Sequence, residues 1–385
     1  MTELTDGIFY IGIEDTDGAA KSDFYFGNKR ASACNAYIVK DEKTALIDSV
    51  NEAFVEDYLK KAEAITPISN IDYLICNYTG NEYAEGIKRI LSLNPNIEIV
   101  GTVAAIKHIK EMVNIPFNEH IAKNGGELDI GGGKVLKFIM APNLPWPDTM
   151  LTYVPHDKLL FSGRMFSSYS INYNKEAINE YYNSVLSAFK PFVHKAAEKI
   201  STLDIDIICT ANGPVIKNEA CKCVSEYLDW SKEEKKDKKK AVIVYPNSYG
   251  STALMTGFIE DRLKKYGFEI SGYSLKENYN QAAQEVNDAD VIVFGTNTVN
   301  KNASKEVLNL IAQMNILKSK GKHCFVFGSY GWGGEGLQLM HEYLKLLKLK
   351  VFEKPFGVWF NPSQEDYERL GAYIERFVKT IKKDG

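Results

Sequence analysis

His323-Cys324-Phe325-Val326-Phe327-Gly328-Ser329-Tyr330-Gly331-Trp332-Gly333-Gly334-Glu335 decides the fold of the last third of the chain. Its first half is an apolar run without polar alternation, as a parallel strand covered on both faces requires. Its second half is a glycine-rich turn with two aromatic residues, and helical apolar spacing follows over 335–347. The same strand-then-helix unit recurs on both sides. Val242-Ile243-Val244-Tyr245 precedes a helix over 252–266, and Ala289–Gly295 precedes one over 303–318. A strand over 351–359 precedes a last helix over 363–382. This alternation predicts a doubly wound parallel α/β sheet whose ligand lies at the carboxyl ends of the strands.

Three strand-end turns carry the candidate chemistry. The first contains Asn247, Ser248, Tyr249, Gly250, Ser251 and Thr252. It offers hydroxyls, amides and a helix N-terminus for a phosphate, with no Lys or Arg. Neither G-x-x-x-x-G-K-[ST] nor G-x-G-x-x-G is present there, so a terminal phosphomonoester such as that of FMN fits best. The second turn contains Thr296, Asn297, Thr298, Val299 and Asn300. The third contains Ser329, Tyr330, Gly331, Trp332 and Gly333. Its glycines let backbone approach a flat ring, on which Tyr330 and Trp332 can stack. The competing reading makes Trp332 a plug at a domain interface. Gly331, Gly333 and Gly336 match G-x-G-x-x-G by spacing, but after a late strand of the unit rather than its first.

Upstream the pattern is mixed. Asn35–Val39 and Thr44–Asp48 read as a hairpin around Lys40-Asp41-Glu42-Lys43, and a buried strand follows at Ile71–Cys76. Helices over 55–65, 83–93 and 175–201 alternate with further strands. Early hairpins with interspersed helices predict an αββα sandwich rather than a purely parallel sheet. The stretch Ser231–Lys240 has no apolar residue and reads as a linker, placing domains at 1–238 and 239–385. A docking patch for an acidic partner is the other reading of those lysines.

The chain has 385 residues and a formal net charge of -4, which gives no basic stripe for nucleic acid. Its six cysteines are too sparse for a disulfide framework, so a reducing, cytoplasmic location is expected. No apolar run is long enough to span a membrane, and no signal core opens the sequence.

The segments YPNSYGST (245–252), GTNTVN (295–300) and GSYGWGGE (328–335) resemble the flavodiiron proteins. So do NAYIVKDEKTALIDSV (35–50), DYLICNYTGNEYAEG (72–86), PWPDTMLTY (145–153), LLFSGRMF (159–166) and ICTANGP (208–214). The resemblance covers nearly the whole chain. It implies an N-terminal metallo-β-lactamase-like αββα sandwich joined to a C-terminal flavodoxin-like sheet that binds FMN. In that family the diiron ligands come from H-x-E-x-D-H, a His before W-P-D, an Asp in F-S-x-D and a His before G-P. Here H-x-E-x-D-H falls on Tyr78-Thr79-Gly80-Asn81-Glu82-Tyr83, and the remaining positions fall on Pro145, Arg164 and Asn212. Iron that handles O₂ or NO wants imidazoles and bridging carboxylates. Only Glu82 is of a suitable type.

No diiron centre is therefore expected. Tyr78, Glu82, Tyr83, Arg164 and Asn212 become the residues of a rebuilt pocket, with Arg164 pairing Glu82. The implied function is electron transfer through FMN without the family's O₂/NO reductase chemistry. Two alternatives stand beside it: a non-catalytic subunit of an intact relative, and a reductase with unusual metal ligands. The resemblance also implies a head-to-tail homodimer, or a higher oligomer, and a rubredoxin or flavin reductase as redox partner.

Overall fold

The computed structural model describes residues 2–15, 32–232, 238–246 and 250–384. They belong to two compact units, Met1–Glu233 and Glu234–Gly385.

The first unit stacks two sheets. One has seven strands, in the order Thr2–Thr5, Ile8–Tyr10, Tyr37–Lys40, Thr44–Ile47, Tyr73–Ile75, Glu98–Gly101 and Asn118–Ile121. The other has six, in the order Glu127–Asp129, Val135–Met140, Met150–Val154, Leu159–Gly163, Ile207–Thr210 and Ile216–Lys217. Side-chain alternation assigns the layers. Ala45, Ile47, Ile75 and Val100 of the first sheet meet Phe138, Met150, Phe161 and Cys209 of the second in one core. Leu46, Leu74 and Ile99 point the other way, under Tyr58, Leu59, Ile87, Ile90, Ile106 and Ile109 of three helices. Leu151, Tyr153, Leu160 and Ile208 lie under Tyr181, Val193, Ala197 and Tyr227. The layers run αββα, as expected.

The second unit is a parallel sheet in the order Glu269–Ser274, Lys240–Tyr245, Val291–Val299, His323–Tyr330, then a broken edge strand. This is the two-one-three-four-five order of flavodoxin-like folds. Val242, Val244, Ile292, Phe294 and Val326 fill one face, and Ala241, Ile243, Val293, Phe325 and Phe327 the other.

Several details depart from the sequence reading. The strand Glu269–Ser274 and the helix Tyr279–Glu285 went unread, because an edge strand carries only partial burial and no continuous apolar run. The helix expected over 303–318 is two, Lys305–Gln313 and Ile316–Ser319, since Asn315 starts a new turn by accepting the Lys318 N–H. The strand expected over 351–359 breaks into Lys350–Val351 and Phe356–Trp359. The 175–201 helix divides into Lys175–Tyr181 and Lys190–Ile200, with tighter and looser turns between them.

Candidate functional site

In the first unit, four strands end at one edge of the sandwich. Asp48, Asn77-Tyr78, Arg164 and Asn212 follow the strands Thr44–Ile47, Tyr73–Ile75, Leu159–Gly163 and Ile207–Thr210. Backbone bonds hold these ends together: Ala211 N–H donates to Gly163 O at 2.7 Å, and Asn35 N–H donates to Ala211 O at 2.9 Å. The pocket candidates converge there. The Arg164 guanidinium donates to the Glu82 carboxylate and lies over the Tyr78 ring at 5.0 Å. The Tyr78 and Tyr83 hydroxyls bond to each other, with their rings edge to face at 5.2 Å. Asn212 is occupied as structure: its amide donates to Ala33 O at 3.2 Å, and its backbone bridges Cys34. Pro145 is half-buried in the 141–149 loop.

These groups are poor metal donors as they stand. Burial pushes the Tyr83 phenol well above its ordinary range and the Cys34 thiol up to about 11, which keeps both protonated. Glu82, the single carboxylate among the pocket candidates, already pairs with a fixed cation. Two irons need several anionic and imidazole donors, and this set does not fit them. Among the described residues, no group of three or more His, Cys, Asp or Glu could hold a metal ion. Cys221 and Cys223, two residues apart on one helix, diverge, the first exposed and the second buried, and do not form a ligand pair.

Two networks beneath this edge escaped the sequence reading. Asp48 is buried, accepts from the Asn77 backbone N–H at 2.7 Å and its amide at 3.1 Å, and is pushed up by desolvation to about 7. Thr152 donates to the other end of that amide at 2.7 Å. Beside it, the Thr79 hydroxyl donates to Asp148 Oδ2 at 2.8 Å and lies 2.9 Å from His108 Nδ1. With its one proton given to Asp148, Thr79 must accept from His108 Nδ1–H. Desolvation raises the Asp148 carboxyl also. No sequence spacing joins Thr79, His108 and Asp148; only the topology does.

In the second unit, the described residues of the three candidate segments lie at the carboxyl ends of adjacent strands. Asn247, Ser248 and Tyr249 fall outside the described residues. Gly250 adopts φ +83, and Ser251 and Thr252 open the helix Ser251–Lys265. The segment 296–300 is a hairpin rather than a loop. Thr298 and Val299 pair with Ala303 and Asn302, and the turn residues Asn300 and Lys301 take φ +50 and +62. Thr296 is buried, and its hydroxyl serves that hairpin by accepting the Ser304 N–H at 3.0 Å. The Asn297 Oδ1 atom is buried and has no hydrogen-bond partner among the described residues.

Around Tyr330 the glycines have separate tasks. A Cβ at Gly336 would lie 2.6 Å from Asn302 O, so only glycine lets that helix abut the hairpin. A Cβ at Gly334 or Gly357 would lie 3.1 or 2.9 Å from the Tyr330 ring, which marks where that ring packs. Trp332 is 98 % exposed. Trp359, Phe360 and Asn361 complete this end of the sheet, and the sequence reading missed them.

The unoccupied valence of Asn297, the exposed Trp332 and the helix N-terminus at Ser251 fit a flat ring with an N–H donor and a phosphate tail. FMN is such a molecule.

Residues 32–213 match the ODP family beta lactamase model, and residues 243–370 match the flavodoxin model. The flavo-diiron protein FprA2 of Clostridium acetobutylicum is 31 % identical, with 98 % of this chain and 99 % of that protein covered. A nitric oxide reductase of Moorella thermoacetica is 30 % identical over 95 % of each chain. The solved rubredoxin oxygen:oxidoreductase of Desulfovibrio gigas shares the fold, with a TM-score of 0.70 at 23 % identity over 99 % of this chain and 98 % of that one.

Proposed function

The chain belongs to the flavodiiron protein family, and on that premise we propose that it is an FMN-dependent electron-transfer flavoprotein without a diiron centre. The observation that carries the second half is the Arg164–Glu82 pair beside the hydrogen-bonded Tyr78 and Tyr83. A guanidinium stands where a bridging carboxylate belongs, and it consumes the one carboxylate among the pocket residues. FMN when bound exchanges one or two electrons, and the protein tunes its potential.

In this reading Thr252 and the backbone N–H groups at the N-terminus of the helix Ser251–Lys265 hold the phosphate, while the Ser251 hydroxyl gives its proton to Asn361. Asn297 and the Tyr330–Gly333 segment flank the ring, while Trp332 shields it. Thr298, Val299 and Asn300 belong to the hairpin that frames it, and Thr296 and Ser329 support the strand ends. The pocket of the first unit is a closed polar plug rather than a reaction centre. The chain's electron donor in this reading is a small carrier such as a rubredoxin, the class named for the Desulfovibrio gigas relative in fold, or a flavin reductase.

Cofactor analysis of the purified chain tests the proposal. FMN equimolar with protein and iron far below it is the expected result. Stoichiometric iron would sink the metal-free half, and a chain that stays colourless after incubation with FMN would sink the other.

A further inference from the structure

The segment Trp359-Phe360-Asn361 begins at the last residue of the edge strand Phe356–Trp359 and touches two of the three turns assigned to FMN. At the ring end, the Phe360 N–H donates to Tyr330 O at 2.9 Å. The Trp359 indole N–H donates to Gly331 O at 2.6 Å. The Phe360 ring lies against Gly331, where a Cβ would come within 3.0 Å of it. At the phosphate end, the Ser251 hydroxyl donates to Asn361 Oδ1 at 2.8 Å.

Three contiguous residues thus tie Tyr330-Gly331 to the first residue of the phosphate-end helix. The conformation is not a default one. Phe360 takes φ +57, unfavourable for an aromatic residue, and the Trp359 and Phe360 rings stack at 5.6 Å and 26° to hold it. Both rings are largely exposed, so core packing does not account for them.

We propose that Trp359–Asn361 is a clasp that positions the two FMN turns: Asn361 takes the Ser251 hydroxyl proton and so anchors the first turn of the helix, whose backbone N–H groups face the phosphate, and Trp359 sets the ring end through the Gly331 peptide. The proposal rests on the FMN reading above. It assigns positioning roles, because these residues act through Ser251 and Gly331.

The two ends separate experimentally, since riboflavin has the ring and lacks the phosphate. Dissociation constants for FMN and riboflavin are measured by flavin fluorescence on the deflavinated full chain. The variants are Asn361→Ala, which removes the acceptor, and Trp359→Phe, which keeps a ring and removes the N–H. An exposed hydrogen bond of this kind changes an equilibrium by about threefold to tenfold. Asn361→Ala is expected to weaken FMN by that factor and leave riboflavin unchanged. Trp359→Phe is expected to weaken both equally and to shift the flavin midpoint potential.

A Ser251→Ala, Asn361→Ala double variant should be no weaker than Ser251→Ala alone. The clasp is overturned if both single variants bind FMN and riboflavin like the parent at an unchanged potential. It is also overturned if both ligands weaken together in Asn361→Ala alongside a lower unfolding midpoint, which is the signature of a fold element. A parent chain that binds neither flavin refutes the underlying FMN reading instead.

Discussion

At the scale of single residues, the proposal of a metal-free pocket rests chiefly on the Arg164 guanidinium and its pairing with Glu82. The Arg164 side chain is 9 % exposed and that of Glu82 is 31 % exposed. Breaking a fully buried pair by removing one partner costs about 3–5 kcal/mol; partial exposure of Glu82 lowers that, so Arg164→Leu is expected to cost about 2 kcal/mol by denaturant unfolding. The double variant Arg164→Leu, Glu82→Leu should recover most of the loss, because no buried charge is then left alone. A double variant no better than the single one would show that the pair is incidental.

Asp48 makes a second residue-scale prediction. Desolvation raises its carboxyl from the ordinary 3.8 to about 7. The folded state therefore holds a proton that the unfolded state releases. The stability this supplies is full below pH 3.8 and is lost as pH rises through about 7. Other groups titrate over the same range, so the check is a difference: Asp48→Asn should flatten the parent's decline in stability between those limits. Parallel pH profiles would contradict the assignment.

At the scale of elements, the turns decide more than the strands. The hairpin at 298–303 and the helix Glu335–Leu346 touch through Gly336. Gly336→Ala would push a Cβ against the backbone oxygens of Asn302 and Asn297, at 2.6 and 3.0 Å. Such overpacking costs typically about 1–3 kcal/mol. It should also weaken FMN, because Asn297 directly precedes the hairpin and its own carbonyl is pushed by the added Cβ; an unchanged flavin affinity with reduced stability would detach Asn297 from the site.

The strands themselves were legible. Val242–Val244, Val291–Phe294 and Phe325–Phe327 are apolar at every position because both faces are covered, and no other element type fits runs so short. Glu269–Ser274 was not legible, since an edge strand pairs through backbone groups that any sequence supplies. The pairing of Arg164 with Glu82 could be anticipated, because two opposite charges at family ligand positions had to meet. The Thr79–His108–Asp148 network and the Trp359–Asn361 segment could not, because each depends on chain segments brought together only by the sheets.

At the scale of the whole molecule, the chain carries two cores of different architecture, one in each compact unit. FMN binding only the folded second unit stabilises that unit by mass action, by about 2.7 kcal/mol at a hundredfold excess over its dissociation constant. Thermal unfolding followed with added FMN should therefore raise the transition of the flavodoxin-like unit; a transition indifferent to FMN would contradict binding there.

We propose that electrons stop at the flavin because the pocket of the first unit, formed by Tyr78, Glu82, Tyr83, Arg164 and Asn212, is not a metal ligand set. The most direct test is anaerobic reduction of the purified chain followed by exposure to O₂, with the product and the iron content measured on one sample. The account predicts slow oxidation that yields hydrogen peroxide, with negligible iron. Rapid, stoichiometric reduction of O₂ to water with iron bound would contradict it.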